Sequence, residues 1–99
     1  MKQLIEIANQ VHTLEKKMAK TPDSTQYTRH LQRIKQALEE LAITYHSPEG
    51  EKYTDSRTDI EANLTGKPSD NMFITDVIKP IVMQDGKIIQ TGIVIVEAV

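Results

Sequence analysis

The chain has 99 residues, of which 38% are hydrophobic and 26% are charged, with one Phe and neither Trp nor Cys. A chain of this size buries only about 60–65% of the surface that its unfolded form exposes, so oligomerisation is a natural source of further stability. The net charge of −2 provides no basic excess, and we expect no nucleic-acid partner. The absence of Cys excludes disulfides and fits a reducing compartment, so we expect a cytoplasmic location.

The first predicted element is an amphipathic helix over residues 4–18. Its apolar residues recur at steps of three and four, which forms a heptad seam. The seam consists of Leu4, Ile7, Val11, Leu14 and Met18. The apolar stretch is short and is interrupted by Glu6 and Asn9, so it is typical of neither a signal peptide nor a membrane span. We therefore expect no membrane partner.

A second helix is predicted after the break AKTPDST. Thr21 can cap this helix with Pro22 at its first position, and Ser24 is an alternative cap. The seam of the second helix consists of Tyr27, Leu31, Ile34, Leu38 and Leu41. Two helices with so short a connection fold back as an antiparallel hairpin, and a second copy would cover their remaining apolar stripes in a four-helix bundle. The sequence thus predicts a helical dimerisation hairpin over residues 1–46 and a homodimer.

Residues 47–99 are predicted to form a connector and a small all-β domain. Ser, Thr, Asp, Gly and Pro dominate the stretch up to residue 71, which predicts an irregular segment anchored by Ile60 and Leu64. From Met72 onward the residue types favour strands, beginning with MFITDVI. Asp85 and Gly86 form a two-residue turn that pairs IVMQ with KIIQ, and IVIVEAV is predicted as an inner strand. The predicted fold class is α+β.

No catalytic or metal-binding pattern stands out in the sequence. His12, His30 and His46 are too far apart for a regular ligand spacing, and we interpret them as surface histidines. Asp55 and Asp59 lie with Arg57 and Glu61 in a polar stretch, which favours solvated side chains over acid–base catalysis. We therefore predict that the protein is not an enzyme and has neither a metal nor a cofactor.

The order of the elements resembles GrpE, the nucleotide-exchange factor of DnaK-type chaperones. The resemblance runs from Leu4 to Glu97 and rests on LEELAI, PEGEKY and DVIKPIVMQDGKIIQTGIVIVE. Family members carry Pro-x-Gly, Phe-Asp-Pro and His-Glu-Ala after the helices. The corresponding residues here are Pro48, Glu49 and Gly50, then Tyr53 in place of the Phe, then Thr58, Asp59 and Ile60.

The closing run of the chain resembles the family pattern in shape more than in side chains. Gly86 is kept, Lys87 takes the place of an Arg, and QTG at 90–92 replaces Arg-Pro-Ala. The long paired helix that usually precedes the family's bundle is not in this sequence, which fits either a trimmed chain or a reduced form. The resemblance is therefore to a divergent member of the family.

The resemblance implies a co-chaperone that acts in protein folding and the stress response. In the family, the β-domain binds the chaperone's ATPase domain, favours its open conformer and so promotes ADP release. By position, Ile78, Lys87 and Val96 would lie on the contacting face, with Asp59 as a further candidate. Lys87 offers a point charge where an Arg would offer a bidentate fork. The alternative is a dimeric interaction module of the same shape with another protein partner and no exchange activity.

Overall fold

The structure, a computed structural model, describes residues 2–20, 25–67 and 69–98 and is a mixed α+β fold. Two helices come first and six strands follow. They are α1 (Lys2–Ala19), α2 (Thr25–Glu40), β1 (Ile43–His46), β2 (Ile60–Thr65), β3 (Met72–Lys79), β4 (Ile81–Gln84), β5 (Lys87–Gln90) and β6 (Gly92–Ala98). The predicted cap at residues 21–24 lies outside the described residues.

Helices α1 and α2 pack against each other in opposite directions. Ala8, near the start of α1, shares a buried cluster with Leu38 near the end of α2. Met18, near the end of α1, lines the same surface depression as Thr28 near the start of α2. Both seam patterns are therefore confirmed as helices of an antiparallel hairpin, whereas the second copy in a four-helix bundle stays a prediction.

Helix α2 ends sooner than the sequence pattern predicts. It stops at Glu40, and Ala42 adopts a left-handed backbone with a φ of 60° while its N–H donates to the carbonyl of Glu39 at 2.8 Å. Strand β1 follows immediately, so the expectation that residues 43–46 belong to the helical part is wrong. Their Ile, Thr and Tyr side chains favour a strand, and β4 supplies the backbone partners.

The strands form two three-stranded sheets, and the strands together with the segments that connect them are called the β-part. Sheet A has the order β1, β4, β5 and is antiparallel, and the turn at Asp85 and Gly86 joins β4 to β5 as predicted. Sheet B has the order β2, β6, β3, with β6 antiparallel to β3 and parallel to β2. The prediction of an inner final strand is confirmed. Positive φ values at Asp85 and Gly86, 52° and 78°, match a turn that requires left-handed backbone.

Strands β3 to β6 form one long hairpin that bends at Pro80 and at Thr91. The bends place β3 and β6 in sheet B, and β4 and β5 in sheet A. The chain leaves β3 through Pro80 to enter β4, and it returns from β5 through Thr91 into β6. The side-chain amide of Gln90 donates to the carbonyl of Pro80 at 2.9 Å and so ties the two bends together. At Gly92 a Cβ atom would lie only 3.1 Å from Cγ1 of Ile81, so a larger residue would crowd this corner.

Strand β2 lies where the sequence predicts an irregular connector. Ile60 is 8% exposed and contributes to the core as predicted, but Leu64 is 50% exposed and is not an anchor. The strand is stabilised by parallel pairing of Ile60 with Gly92 and of the following residues with β6. Because that partner comes much later in the chain, local composition does not reveal the strand.

Two buried clusters hold the fold together. The first lies on sheet B and reaches β4, and its buried members are Ile60, Met72, Ile74, Val77, Ile81, Val94 and Val96. The second joins both helices to sheet A through Ala8, Leu38, Ile43 and Val82. The helices are therefore seated on sheet A by apolar contacts, while sheet B has a core of its own.

Candidate interaction surfaces

Ile78 is an exposed apolar side chain at an irregularity of β3. Val77 pairs with Val94 and Lys79 with Ile93, which leaves Ile78 as an extra residue without a partner in the register. A bulge of this kind turns a side chain away from the regular alternation of the strand. Ile78 is accordingly 50% exposed, and its placement suits contact with another protein.

The surface beside Ile78 is basic. A depression of about 330 Å³ runs between Ile78 and the second half of α1, where it is lined by Thr13, Lys16, Lys17 and Lys20. Lys16 is engaged there, since its amine donates to Oδ1 of Asp76 at 2.7 Å and to the carbonyl of Val77 at 2.8 Å. The hydrogen bond from Lys16 holds the pKa of the Asp76 carboxyl below its usual value.

Lys87 is exposed at the first position of β5, directly after the turn at Asp85 and Gly86. It faces Gln84 across the hairpin. In the described part of the chain no hydrogen bond, ion pair or cavity is shared by Lys87, Ile78 and Asp59. The structure thus leaves Ile78 and Lys87 as separate exposed positions on different sheets.

Val96 does not lie on a contacting face. Its side chain is fully buried in the core of sheet B, where the central strand β6 is covered by apolar neighbours. The expectation that Val96 contacts a partner is therefore wrong. The sequence signal was misleading because alternate residues of a Val-rich inner strand differ in burial, and Val96 is one of the inward residues.

Asp59 is held by an ion pair within the chain. The Arg57 guanidinium donates to both of its carboxylate oxygens, at 3.0 and 2.8 Å, and also to Glu51 at 3.1 Å. The hydrogen bond from Arg57 holds the pKa of Asp59 below its usual value. A partner that used Asp59 would have to compete with this bidentate contact.

Most of the exposed large apolar side chains among the described residues belong to the seams of the helices. The uncovered seam residues, with exposed fractions of 40–53%, are Ile7, Leu14, Tyr27, Ile34 and Leu41. A groove of about 370 Å³ runs between α1 and α2 and includes Ile7, Leu14 and Ile34 in its lining. By contrast, Val11, Leu31 and Leu38 are each no more than 5% exposed, while Leu4 and Met18 are partly covered. About half of the predicted bundle core is therefore open in the single chain.

A row of polar contacts fixes α1 on the sheets. Asn9 and Gln90 exchange side-chain hydrogen bonds at 3.1 and 2.7 Å, and His12 lies 3.3 Å from the hydroxyl of Ser47. Lys16 continues this row with its bonds to β3. His12 is 3% exposed, so its interpretation as a surface histidine is wrong. It escaped recognition because it lies on the helix face that sheet A covers, beside the heptad seam.

A second exposed region, which the sequence did not single out, lies between β5 and the start of β6. A cleft of about 440 Å³ there is lined partly by Ile88, Lys79 and Glu61. Ile88 is 45% exposed. In KIIQ the two Ile residues are adjacent, so one of them has to point to the outer face of the strand, but the residue types do not say which one.

The described ranges contain no group of three His, Cys, Asp or Glu side chains placed to hold a metal ion. Neither of the two helices is long and apolar enough to cross a membrane. No protein-family model, curated protein or solved structure matches the chain. The functional proposal therefore depends on exposed side chains and on the order of the elements.

Proposed function

We propose that this chain is a GrpE-like co-chaperone that promotes ADP release from a DnaK-type chaperone. In this proposal the sheets bind the ATPase domain of the chaperone, and the helices form the dimer. The carrying observation is the contrast between a helix pair with an uncovered apolar face and a sheet B with a closed core of its own. That contrast is what a paired helical stalk with an attached binding module requires.

The homodimer forms through the uncovered seam residues of the helices. Leu14 and Ile34 are 46% and 40% exposed on either side of the groove between α1 and α2. Covering such side chains stabilises association by about 25 cal/mol for each Å² of apolar surface removed from water. A second helix pair, packed on this face, completes a four-helix bundle and leaves the sheets free.

The candidate chaperone-binding residues are reduced to two separate exposed positions, Ile78 on sheet B and Lys87 on sheet A, because Val96 is buried and Asp59 is engaged by Arg57. Ile78 supplies apolar contact at the bulge of β3, and Lys87 supplies a positive charge beside a tight turn. A module of this kind needs no covalent chemistry. It shifts the chaperone toward an open cleft by binding that conformer more tightly than the closed one.

The decisive experiment follows the release of fluorescent ADP from a DnaK-type chaperone after addition of the protein. We expect faster release, and we expect Lys87→Glu to abolish the acceleration while the dimer stays intact. Lys52→Glu is the matched control, since Lys52 is also an exposed lysine of the β-part. Retained acceleration in Lys87→Glu would overturn the assigned face, and no acceleration or micromolar binding by the unaltered protein would overturn the proposal.

A specific observation favours a second candidate, a dimeric interaction module with another protein partner. Two of the four residues carried over from the family pattern, Val96 and Asp59, have no free exposed side chain. Ile88, which that pattern does not include, is exposed beside a cleft. Loss of binding to the module's own partner in Ile88→Asp but not in Lys87→Glu would favour this candidate.

A further inference from the structure

His12 is the only buried polar residue among those described. It lies in α1, where its ring meets the ring of Tyr45 edge to face, at an interplanar angle of 76° and with 6.3 Å between centroids. Nε2 is 3.3 Å from the hydroxyl of Ser47, just after β1. Nδ1 has no hydrogen-bond partner among the described residues. The imidazole thus joins the helix to the start of the β-part with one polar contact and one unpaired nitrogen.

Protonation would worsen this arrangement whichever tautomer is present. A neutral imidazole carries one N–H, and the hydroxyl of Ser47 can either accept from Nε2 or donate to it. An imidazolium carries an N–H on both nitrogens. Nδ1 lacks a partner among the described residues in either state, so protonation adds a positive charge to a buried ring without supplying an acceptor for it.

The charges around His12 do not compensate for its burial. Glu15 accepts a hydrogen bond from the Tyr45 hydroxyl, and Asp76 accepts from Lys16, so both carboxylates are already engaged. Burial first, and then the positive charge of Lys16, lowers the pKa of His12 from 6.5. Charged and titratable groups face the ring from each neighbouring element. They are Lys16 and Glu15 on α1, Tyr45 on β1, Glu49 after β1 and Asp76 on β3. Lys35 of α2 lies over the Tyr45 ring.

We propose that His12 is a pH-sensitive contact that holds α1 on the sheets when neutral and loosens it when protonated. The contact lies in the middle of the polar row, between the Asn9–Gln90 pair and the Lys16–Asp76 pair. Loss of the contact at His12 therefore weakens the packing of the whole helix against the sheets. This pH response is a property of the chain itself and does not depend on a chaperone partner.

The direction of the effect follows from linkage. A group with a lowered pKa in the folded state binds fewer protons there than in the unfolded chain. The contribution of His12 is fully present above its unfolded value of about 6.5 and is lost as the pH falls below it. Acidification should therefore loosen the helix, while alkaline conditions should leave it seated.

The first test compares urea unfolding of the unaltered protein, His12→Gln and His30→Gln at pH 7.5 and pH 5.5. His30→Gln is the matched control because His30 is an exposed histidine of the other helix. Acidification should raise the unfolding equilibrium constant more in the unaltered protein and in His30→Gln than in His12→Gln, by up to about tenfold, the limit for one group with an unfolded pKa of about 6.5. Equal pH dependence in all three proteins would overturn the proposal.

Two measurements on the unaltered protein decide the matter even if His12→Gln does not fold. The imidazole NMR signal of His12 should titrate with a midpoint below 6.5, and a midpoint at or above 6.5 would contradict the proposal. Amide exchange at residues 9–16, corrected for its intrinsic pH dependence, should rise more than exchange in β6 on acidification. An equal rise in both regions would indicate global unfolding and would also overturn it.

Discussion

The sheets and the helices of this chain differ in how completely they cover their apolar side chains. In the sheets, Val77, Val94 and Val96 are fully buried. In the helices, Leu14 is 46% exposed and Ile34 is 40% exposed, although both belong to the same seams as buried residues. The difference teaches that sheet B closes its own core, whereas the helix pair covers sheet A on one face and leaves an apolar face open on another.

The open face has a geometric cause. A heptad seam is wide enough to contact more than one neighbouring helix, and in this chain each helix has only one helical neighbour. Val11 and Leu31 are buried where the two helices meet. Ile7 and Leu14 line the same groove but stay exposed. The open face therefore results from helix number, not from a poor apolar pattern.

The largest expected effect comes from removing side-chain volume from the closed region. Ile74 is 1% exposed in sheet B, so Ile74→Ala should lower the free energy of unfolding by about 2–5 kcal/mol in urea at fixed protein concentration. Ile88→Ala is the control because Ile88 is 45% exposed, and it should cost less than about 1 kcal/mol. Equal losses would break the contrast between closed and open surfaces.

The next largest effect is expected for a substitution on the open face of the helices. Leu14→Glu places a charge in the groove between α1 and α2, where a second copy would bury it. The dimer dissociation constant should rise by about 30-fold or more, because burying an unpaired polar group costs about 2 kcal/mol. Sedimentation velocity measures the change. Gln36→Glu, on an exposed position of α2, should leave the dimer unchanged.

Sedimentation of the unaltered protein is the reference for that comparison. A stable monomer at micromolar concentration would show that no second copy covers the groove. In that case the open face would belong to a different partner, and the contrast between sheets and helices would need another explanation. A Leu14→Glu protein that stays dimeric would place the dimer contact elsewhere.

The smallest effect concerns the boundary between the two regions. Ala42 has a φ of 60°, a conformation that costs an L residue roughly 1–2 kcal/mol relative to the right-handed region. Ala42→Gly should raise the free energy of unfolding by up to about 1 kcal/mol in thermal or urea unfolding. Ala37→Gly, in the middle of α2, should instead lower it by about 1 kcal/mol. The same sign for both would contradict the assigned backbone.

Local chemistry revealed some elements of the fold and not others. The seams predicted both helices because their period is contained within each segment, and Asp85 with Gly86 predicted a hairpin whose strands are adjacent in sequence. Strands β1 and β2 were missed because each pairs with a strand far along the chain, so no adjacent segment indicates its partner. The residue types of β1 favour a strand, but it directly follows a helix, and those of β2 resemble the polar connector around it.

The candidate site was predicted less well than the fold. Ile78 and Lys87 are exposed, as their proposed role requires, but Val96 is buried and Asp59 is paired. The exposure of a side chain in a sheet depends on bulges and on which face of the sheet meets the core. The residue types indicate neither. The burial of His12 was missed for a related reason, since it depends on where sheet A meets α1.

The central position of β6 has a consequence for synthesis on the ribosome. Both of its neighbours, β2 and β3, precede it in the chain, and neither is bonded to the other. Until Gly92–Ala98 has emerged from the exit tunnel, β2 lacks its strand partner and β3 has only its backbone bonds to residues 50–53. We therefore expect sheet B to be completed late in synthesis, and a nascent chain that stalls before this point would leave unpaired the strand edges that β6 occupies.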